Sequence, residues 1–290
     1  MSRTSTGRDT RRSGVRRATV LGLGLLALMV LTSCSQDSTA DWERLGLPEP
    51  STDRATHMAD LWVGAWTAAL IIGFFVWGLI LWSAWHFRRR HDEELPTQVR
   101  YNLPIEVLYT IAPIIVVAVL FYFTVEKQNI ITNDLENPDH EIAVTAQQWS
   151  WVFNYKNEEA VQDVVYDAGN AAAIPQVWLV EDESVTFTLH SPDVIHSFWV
   201  PTFLFKLDVI PGKDQSFSVT PTKSGQFQGR CAELCGFQHS RMLFTVNVVD
   251  RETFDAHLQD LEAAGQVGEL RGGSESDTVE GLNTDAEAAE

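Results

Sequence analysis

Two long stretches without a charged residue interrupt an otherwise mixed chain. Residues 61–85 and 107–125 contain no Asp, Glu, Lys or Arg. A helix needs about 20 apolar residues to cross a hydrocarbon core about 30 Å thick. Both runs reach that length, the second only just, and with its flanking residues it is taken as a span over 105–125. Pro113 falls near the first turns of the second run, where a spanning helix tolerates it. Trp residues near the ends of the first run suit the membrane–water interface. A third apolar run, 18–31, follows six arginines and reads as the core of an export signal.

Beyond residue 126 the period changes to two. Trp149, Trp151, Phe153 and Tyr155 alternate with Ser150, Asn154 and Lys156, which predicts a strand with one apolar and one polar face. Further strand-like runs lie at 177–180, 184–189, 215–219 and 243–249. Turn signals separate them at Ser191-Pro-Asp193, Pro211-Gly-Lys213 and Lys223-Ser-Gly225. Short strands at this spacing predict an all-β Greek-key sandwich or barrel. Residues 157–173 read as an irregular excursion and 252–264 as a short surface helix. From 272 to 290 the chain is mostly Gly, Ser, Ala and acid with almost no large apolar residue, a composition expected to stay disordered. The expected organisation is a signal peptide (1–33), an extracytoplasmic linker (34–60), two transmembrane helices (61–85 and 105–125) joined by a cytoplasmic loop (86–104), a β domain (126–250), and a short helix with an acidic tail (251–290).

Charge fixes the expected orientation. The formal charge of −18 argues against a nucleic-acid partner and suits a basic one. Arg88, Arg89, Arg90 and Arg100 lie between the spans, so the positive-inside rule places that loop in the cytoplasm. The segment Leu31-Thr-Ser-Cys34 resembles a bacterial lipobox, so cleavage before Cys34 and lipidation of its thiol are expected. That independently puts the N-terminus outside the cell membrane.

The chemistry is concentrated in Cys231-Ala-Glu-Leu-Cys235-x-x-x-His239-x-x-Met242. Cys231 and Cys235 are the only cysteines besides Cys34, and in an oxidising compartment a disulfide is the first rival. Thiolate, imidazole and thioether together select copper, with Met as a long axial ligand. A structural zinc would leave Met242 without a role. His190 and His196 are the upstream candidates for a second imidazole. Asp193-Val-Ile-His196-Ser-Phe leads into the rigid apolar Trp199-Val-Pro201, which favours His196, a choice that rests partly on the resemblance given below. Two thiolates can bridge two coppers, although spacing alone does not establish a dinuclear site. No Cys-x-x-Cys-His is present, so no haem c is expected on this chain.

The sequence resembles subunit II of haem–copper cytochrome c oxidases. The resemblance is carried by Gln148-Trp149-Ser-Trp151, Asp193-Val-Ile-His196-Ser-Phe-Trp-Val-Pro201, Lys206-Leu-Asp208-Val-Ile-Pro-Gly212 and Gly229-Arg-Cys231-Ala-Glu233-Leu-Cys235-Gly-Phe-Gln-His239-Ser-Arg-Met242. The lipobox looks like that of Gram-positive members. The resemblance implies a cupredoxin-like domain in which Cys231 and Cys235 bridge two copper ions. His196 and His239 would be terminal ligands, and Met242 and the Glu233 carbonyl weak axial ones. It implies that the Glu233 carboxylate reaches a magnesium or manganese ion shared with subunit I. Trp149 would be the electron inlet from cytochrome c, Asp193 part of the donor-docking surface, and Glu106 the mouth of a proton path. The partners implied are oxidase subunit I, the other oxidase subunits, and cytochrome c or a cytochrome c domain of a bc-type complex. A quinol oxidase subunit II usually lacks the copper ligands that stand intact here. Nitrous oxide reductase carries a second large domain that does not fit this length, and a copper carrier would need neither the two spans nor the Trp149 and Glu106 motifs.

Overall fold

The computed structural model describes residues 42–90, 98–170 and 172–272. The expected signal, Cys34 and all but the first residue of the 272–290 segment lie outside the described residues. The chain divides at residue 47, and the unit from Pro48 onward carries the spans and the β domain.

Helix α1 (Asp53–His86) and helix α2 (Leu103–Thr132) contain the two apolar runs. Each starts on a side-chain cap. Thr52 accepts a hydrogen bond from the Ala55 N–H, and Asn102 accepts one from the Ile105 N–H, satisfying backbone donors that the first turn leaves free. Their apolar side chains are exposed along nearly the whole length, Phe74 and Trp85 among them. Lipid is the solvent such a surface requires, and these are two membrane spans. The helices are longer than the uncharged runs. The stretch expected as linker is already helical from Asp53, and α2 runs on to Thr132. The added turns carry an ionic contact between the spans, in which Lys127 Nζ lies 3.2 Å from His57 Nδ1 and 3.8 Å from Asp60.

The β domain packs two five-stranded sheets face to face. The first has the order β3 (Val165–Ala168), β2 (Ser150–Lys156), β1 (His140–Gln147), β5 (Val185–His190), β8 (Gln215–Val219). The second has the order β4 (Gln176–Val180), β10 (Leu243–Val249), β9 (Gly225–Cys231), β6 (His196–Val200), β7 (Phe205–Val209). The pairs β1–β5 and β10–β4 are parallel and the others antiparallel. The aromatic residues of alternate positions meet between the sheets. Phe198 lies 4.7 Å from Phe244 and 5.4 Å from Phe187, ring centre to ring centre. Helix α3 (Arg251–Ala263) closes one end by burying Phe254, Leu258 and Leu261.

Three details depart from the sequence reading. The excursion at 157–173 contains a strand, β3, paired with β2. Trp149 stands in the two-residue turn between β1 and β2 rather than on the strand. The polar face of β2 is buried as well, including Asn154, because residues 266–272 return across it. The Leu270 N–H donates to Asn154 Oδ1, and Asn154 Nδ2 donates to the Leu270 carbonyl. A buried amide side chain with no such partner would be costly, so Asn154 and the strap explain each other.

Candidate metal centre

The site is assembled from three loops at one end of the sandwich. Cys231 ends β9, and the Ala232 N–H donates to the Ser197 carbonyl of β6, which seats the loop beside His196. The chain then turns through Cys235 and a short 3-10 turn, His239–Arg241, before Met242 leads into β10. The Cys231 N–H donates to the Met242 carbonyl and closes the loop at its neck. At Gly236 φ is +129°, and an added Cβ would lie 3.0 Å from both Gln148 Nε2 and Trp149 Nε1. Only glycine fits such a backbone.

Both thiols are free and buried. Their sulfurs lie 3.8 Å apart, well beyond the roughly 2.05 Å of a disulfide bond. The donors converge on this pair. His196 Nδ1 is 3.9 Å from Cys231 Sγ, and His239 Nδ1 is 3.6 Å from Cys235 Sγ. Met242 Sδ is 3.7 Å from Cys235 Sγ, and the Glu233 carbonyl is 3.2 Å from Cys231 Sγ. The ligand atoms of His196, Cys231 and Cys235 all lie within 4.8 Å of one another. Two imidazoles, a thioether and a backbone carbonyl facing a buried sulfur pair fit a copper centre by their chemistry.

Electrostatics prepare the sulfurs for a cation. A hydrogen bond from Cys235 lowers the Cys231 thiol to about 3, against the effect of burial and with help from His196. The Cys235 proton is held more tightly, because Cys231 and burial both oppose a second negative charge. A bound cation removes that opposition.

Asp193, which the resemblance puts on the donor-docking surface, is half-buried and hydrogen-bonded to the loops around it. One of its oxygens accepts from His196 Nε2 at 2.9 Å and from the Val194 N–H at 2.6 Å. The other accepts from the Gln148 N–H at 2.7 Å. These bonds hold the Asp193 carboxyl below its ordinary range although burial pushes it up. An ionised Asp193 accepts, so His196 carries its proton on Nε2 and turns the Nδ1 lone pair toward Cys231. Burial disfavours a second proton on His196, but its bonds to Asp193 and Cys231 outweigh this and raise its pKa.

The other sequence candidates fall in separate places. Trp149 is half-buried and donates to the Cys235 carbonyl at 3.3 Å, beside the Gln148 side-chain amide at 2.6 Å. His190 is bonded to Asp214 at 3.0 Å and takes no part. The Glu233 side chain is exposed. Glu106 accepts from the Asn102 N–H at 3.1 Å and so caps α2. Sequence reasoning passed over Gln148 and the positioning use of Asp193. The three-residue separation of Asp193 and His196 was the available signal for the latter.

Fold and site together define a membrane-anchored cupredoxin-like protein with a soft-metal site in its extramembrane domain. Residues 40–126 match the family model of the cytochrome c oxidase subunit II transmembrane domain, and residues 141–249 match that of its periplasmic domain. A probable cytochrome c oxidase subunit 2 of Streptomyces avermitilis is 43% identical, covering 94% of this chain and 95% of its own length. The cytochrome c oxidase subunit 2 of Mycobacterium bovis is 36% identical, covering 82% of this chain and 79% of its own length. The periplasmic domain of subunit II of cytochrome oxidase from Bradyrhizobium japonicum is a looser structural neighbour. It has a TM-score of 0.41 and 24% identity, and covers 45% of this chain and 99% of its own. The chain belongs to the cytochrome c oxidase subunit II family. Membership makes it a subunit of a haem–copper oxidase and implies a copper centre in the donor cluster just described.

Proposed function

We propose that this chain is the electron inlet of an aerobic terminal oxidase. The observation that carries this is the free Cys231–Cys235 pair, 3.8 Å apart, ringed by His196, His239, Met242 and the Glu233 carbonyl. Bound there, a pair of coppers would take up and release one electron at a time. The protein's part is to hold the ligands so that little must move when the charge changes. Cys231 and Cys235 supply both thiolates from one closed loop. Asp193 fixes the His196 ring, and Trp151, whose ring centre is 6.4 Å from that of His196, packs beneath it and donates to the Met242 carbonyl. Burial of both sulfurs and of Met242 keeps water out.

Cytochrome c, free or as a domain of a bc-type complex, delivers electrons at Trp149, whose indole is bonded to the carbonyl of a ligating residue. Electrons then pass to haem in subunit I, where oxygen is reduced to water and protons are translocated. The arginine-bearing loop lies in the cytoplasm, the β domain outside, and Cys34 carries the lipid anchor. The exposed Glu233 carboxylate would help to hold a magnesium or manganese ion shared with subunit I. The role proposed for Glu106 at a proton path runs alongside its capping bond. In the intact oxidase, Trp149→Phe should slow reduction by ferrocytochrome c about tenfold or more while copper content stays unchanged. Loss of copper would instead make Trp149 a packing residue, and an unchanged rate would remove it from the electron path.

A further inference from the structure

The β1–β2 hairpin, which carries Gln148 and Trp149 in its turn, shows only one face to the core. Ile142, Val144 and Ala146 of β1 and Trp151, Phe153 and Tyr155 of β2 are buried between the sheets. On the opposite face the register pairs Glu141 with Lys156, Ala143 with Asn154, Thr145 with Val152 and Gln147 with Ser150. This face is turned away from the second sheet, yet Thr145, Gln147, Val152 and Asn154 are all 2% exposed or less.

Residues 269–272 run along that face toward the turn. Lys156 pairs with Glu269 at 2.9 Å in the first row. In the next, Asn154 clasps both backbone groups of Leu270, at 2.7 and 3.1 Å, and donates to the Ala143 carbonyl of the neighbouring strand as well. Thr145, one row further on, donates to the Leu270 carbonyl at 3.3 Å. Gly272 reaches the last row, where a Cβ would overlap the Gln147 side-chain amide, and its φ of +71° favours glycine. The segment is also pinned upstream at the β3 edge, where the Tyr166 N–H donates to the Gln266 carbonyl and the Gly268 N–H to the Val164 carbonyl. Each row thus exchanges mobile water for fixed bonds, as far as the residue directly before the turn. Gln148 then bonds to Asp193 and to the Cys235 carbonyl, which the Trp149 indole shares.

We propose that residues 269–272 are a positioning clamp for the Gln148–Trp149 turn. By holding the hairpin row by row up to Gln147, they keep the Trp149 indole on the Cys235 carbonyl. They set how fast an electron enters, and not how tightly the donor or the metal is held. The proposal rests on the Trp149 inlet proposed above. Asn154, Leu270 and Gly272 act through the turn without touching the reacting atoms, and small displacements of an oriented group carry large rate penalties.

The test uses the intact oxidase with reduced cytochrome c, comparing the parent with Gly272→Ala, Trp149→Phe and the double variant. Gly272→Ala should slow reduction of the copper centre about fivefold, with KM and copper content as in the parent. In the Trp149→Phe background it should add no further slowing, because both changes act on one element. Hydrogen exchange should quicken at the amides of 147–150 in Gly272→Ala and stay parental in α3. Thr145→Val, which removes only the bond to Leu270, should show the same pattern at about twofold. Parental rates in both Gly272→Ala and Thr145→Val, copper loss in Thr145→Val, or full additivity with Trp149→Phe each overturns the clamp. A parental rate in Trp149→Phe alone would remove the inlet. The clamp on the turn then stands if exchange at 147–150 quickens, and falls if it does not.

Discussion

At the scale of single residues, a carboxylate orients one of the donors that face the sulfur pair. Asp193 fixes the tautomer and orientation of His196, and removing such an orienting partner from a metal-ligating histidine typically costs about 10–100-fold in affinity. Asp193→Asn presents an amide in place of one acceptor oxygen. Competition with a copper chelator should therefore show weaker retention in this variant, while His190→Ala, bonded only to Asp214 among these groups, should retain copper like the parent. Equal retention in Asp193→Asn would end the positioning role. The donor cluster was largely legible in the sequence, because Cys231, Cys235, His239 and Met242 recur within one short loop. The convergence of Gln148, Asp193 and Cys235 was not, since it arises where three separate loops meet.

At the scale of elements, the end of the sandwich where α3 packs is tied by a buried histidine. His140 begins β1, with Nδ1 2.9 Å from Glu158 and Nε2 3.0 Å from Glu183, and Arg251 of α3 pairs with the same Glu183. Burial disfavours the imidazolium, but the bonds to Glu158 and Glu183 outweigh it and raise the pKa of His140 above its ordinary value, despite the nearby Arg251 charge. The folded state thus binds this proton more tightly than the unfolded chain. Its contribution is complete below the unfolded value, about 6.5, and is lost as pH rises through the folded one. Thermal unfolding of the detergent-solubilised chain should show this loss as pH rises above about 6.5, and His140→Gln should flatten it. An identical pH profile in the variant would show that Glu158 and Glu183 do not couple to folding.

His257 acts with the opposite sign. It is stacked 4.4 Å from Trp178, and burial lowers it to about 4, so its contribution is lost as pH falls from about 6.5 toward that value. Elements with strong periodicity were readable, as with the apolar spans and β10. Strands β6, β7 and β9 were harder to see, because motif residues and glycine interrupt their alternation. Asn154 looked like a solvent position only because the strap that covers it lies more than a hundred residues further on.

At the scale of the whole molecule, two capped helices hold a sandwich whose metal loop lies apart from the spans in sequence but is set by the same sheets that anchor them. The Ser51 N–H donates to the Thr202 carbonyl, and the Asp53 N–H donates to the Thr220 carbonyl, so α1 leaves the domain at the end of β8. The proposed orientation can be checked with Gln98→Cys, in the loop between the spans. A membrane-impermeant maleimide should label it only after the cells are permeabilised, and labelling of intact cells would invert the topology. The central claim is a dinuclear copper centre, and the purified full-length protein tests it most directly. Metal analysis should find two coppers per chain, with a seven-line mixed-valence EPR spectrum. One copper with a four-line spectrum, or zinc in its place, would overturn it.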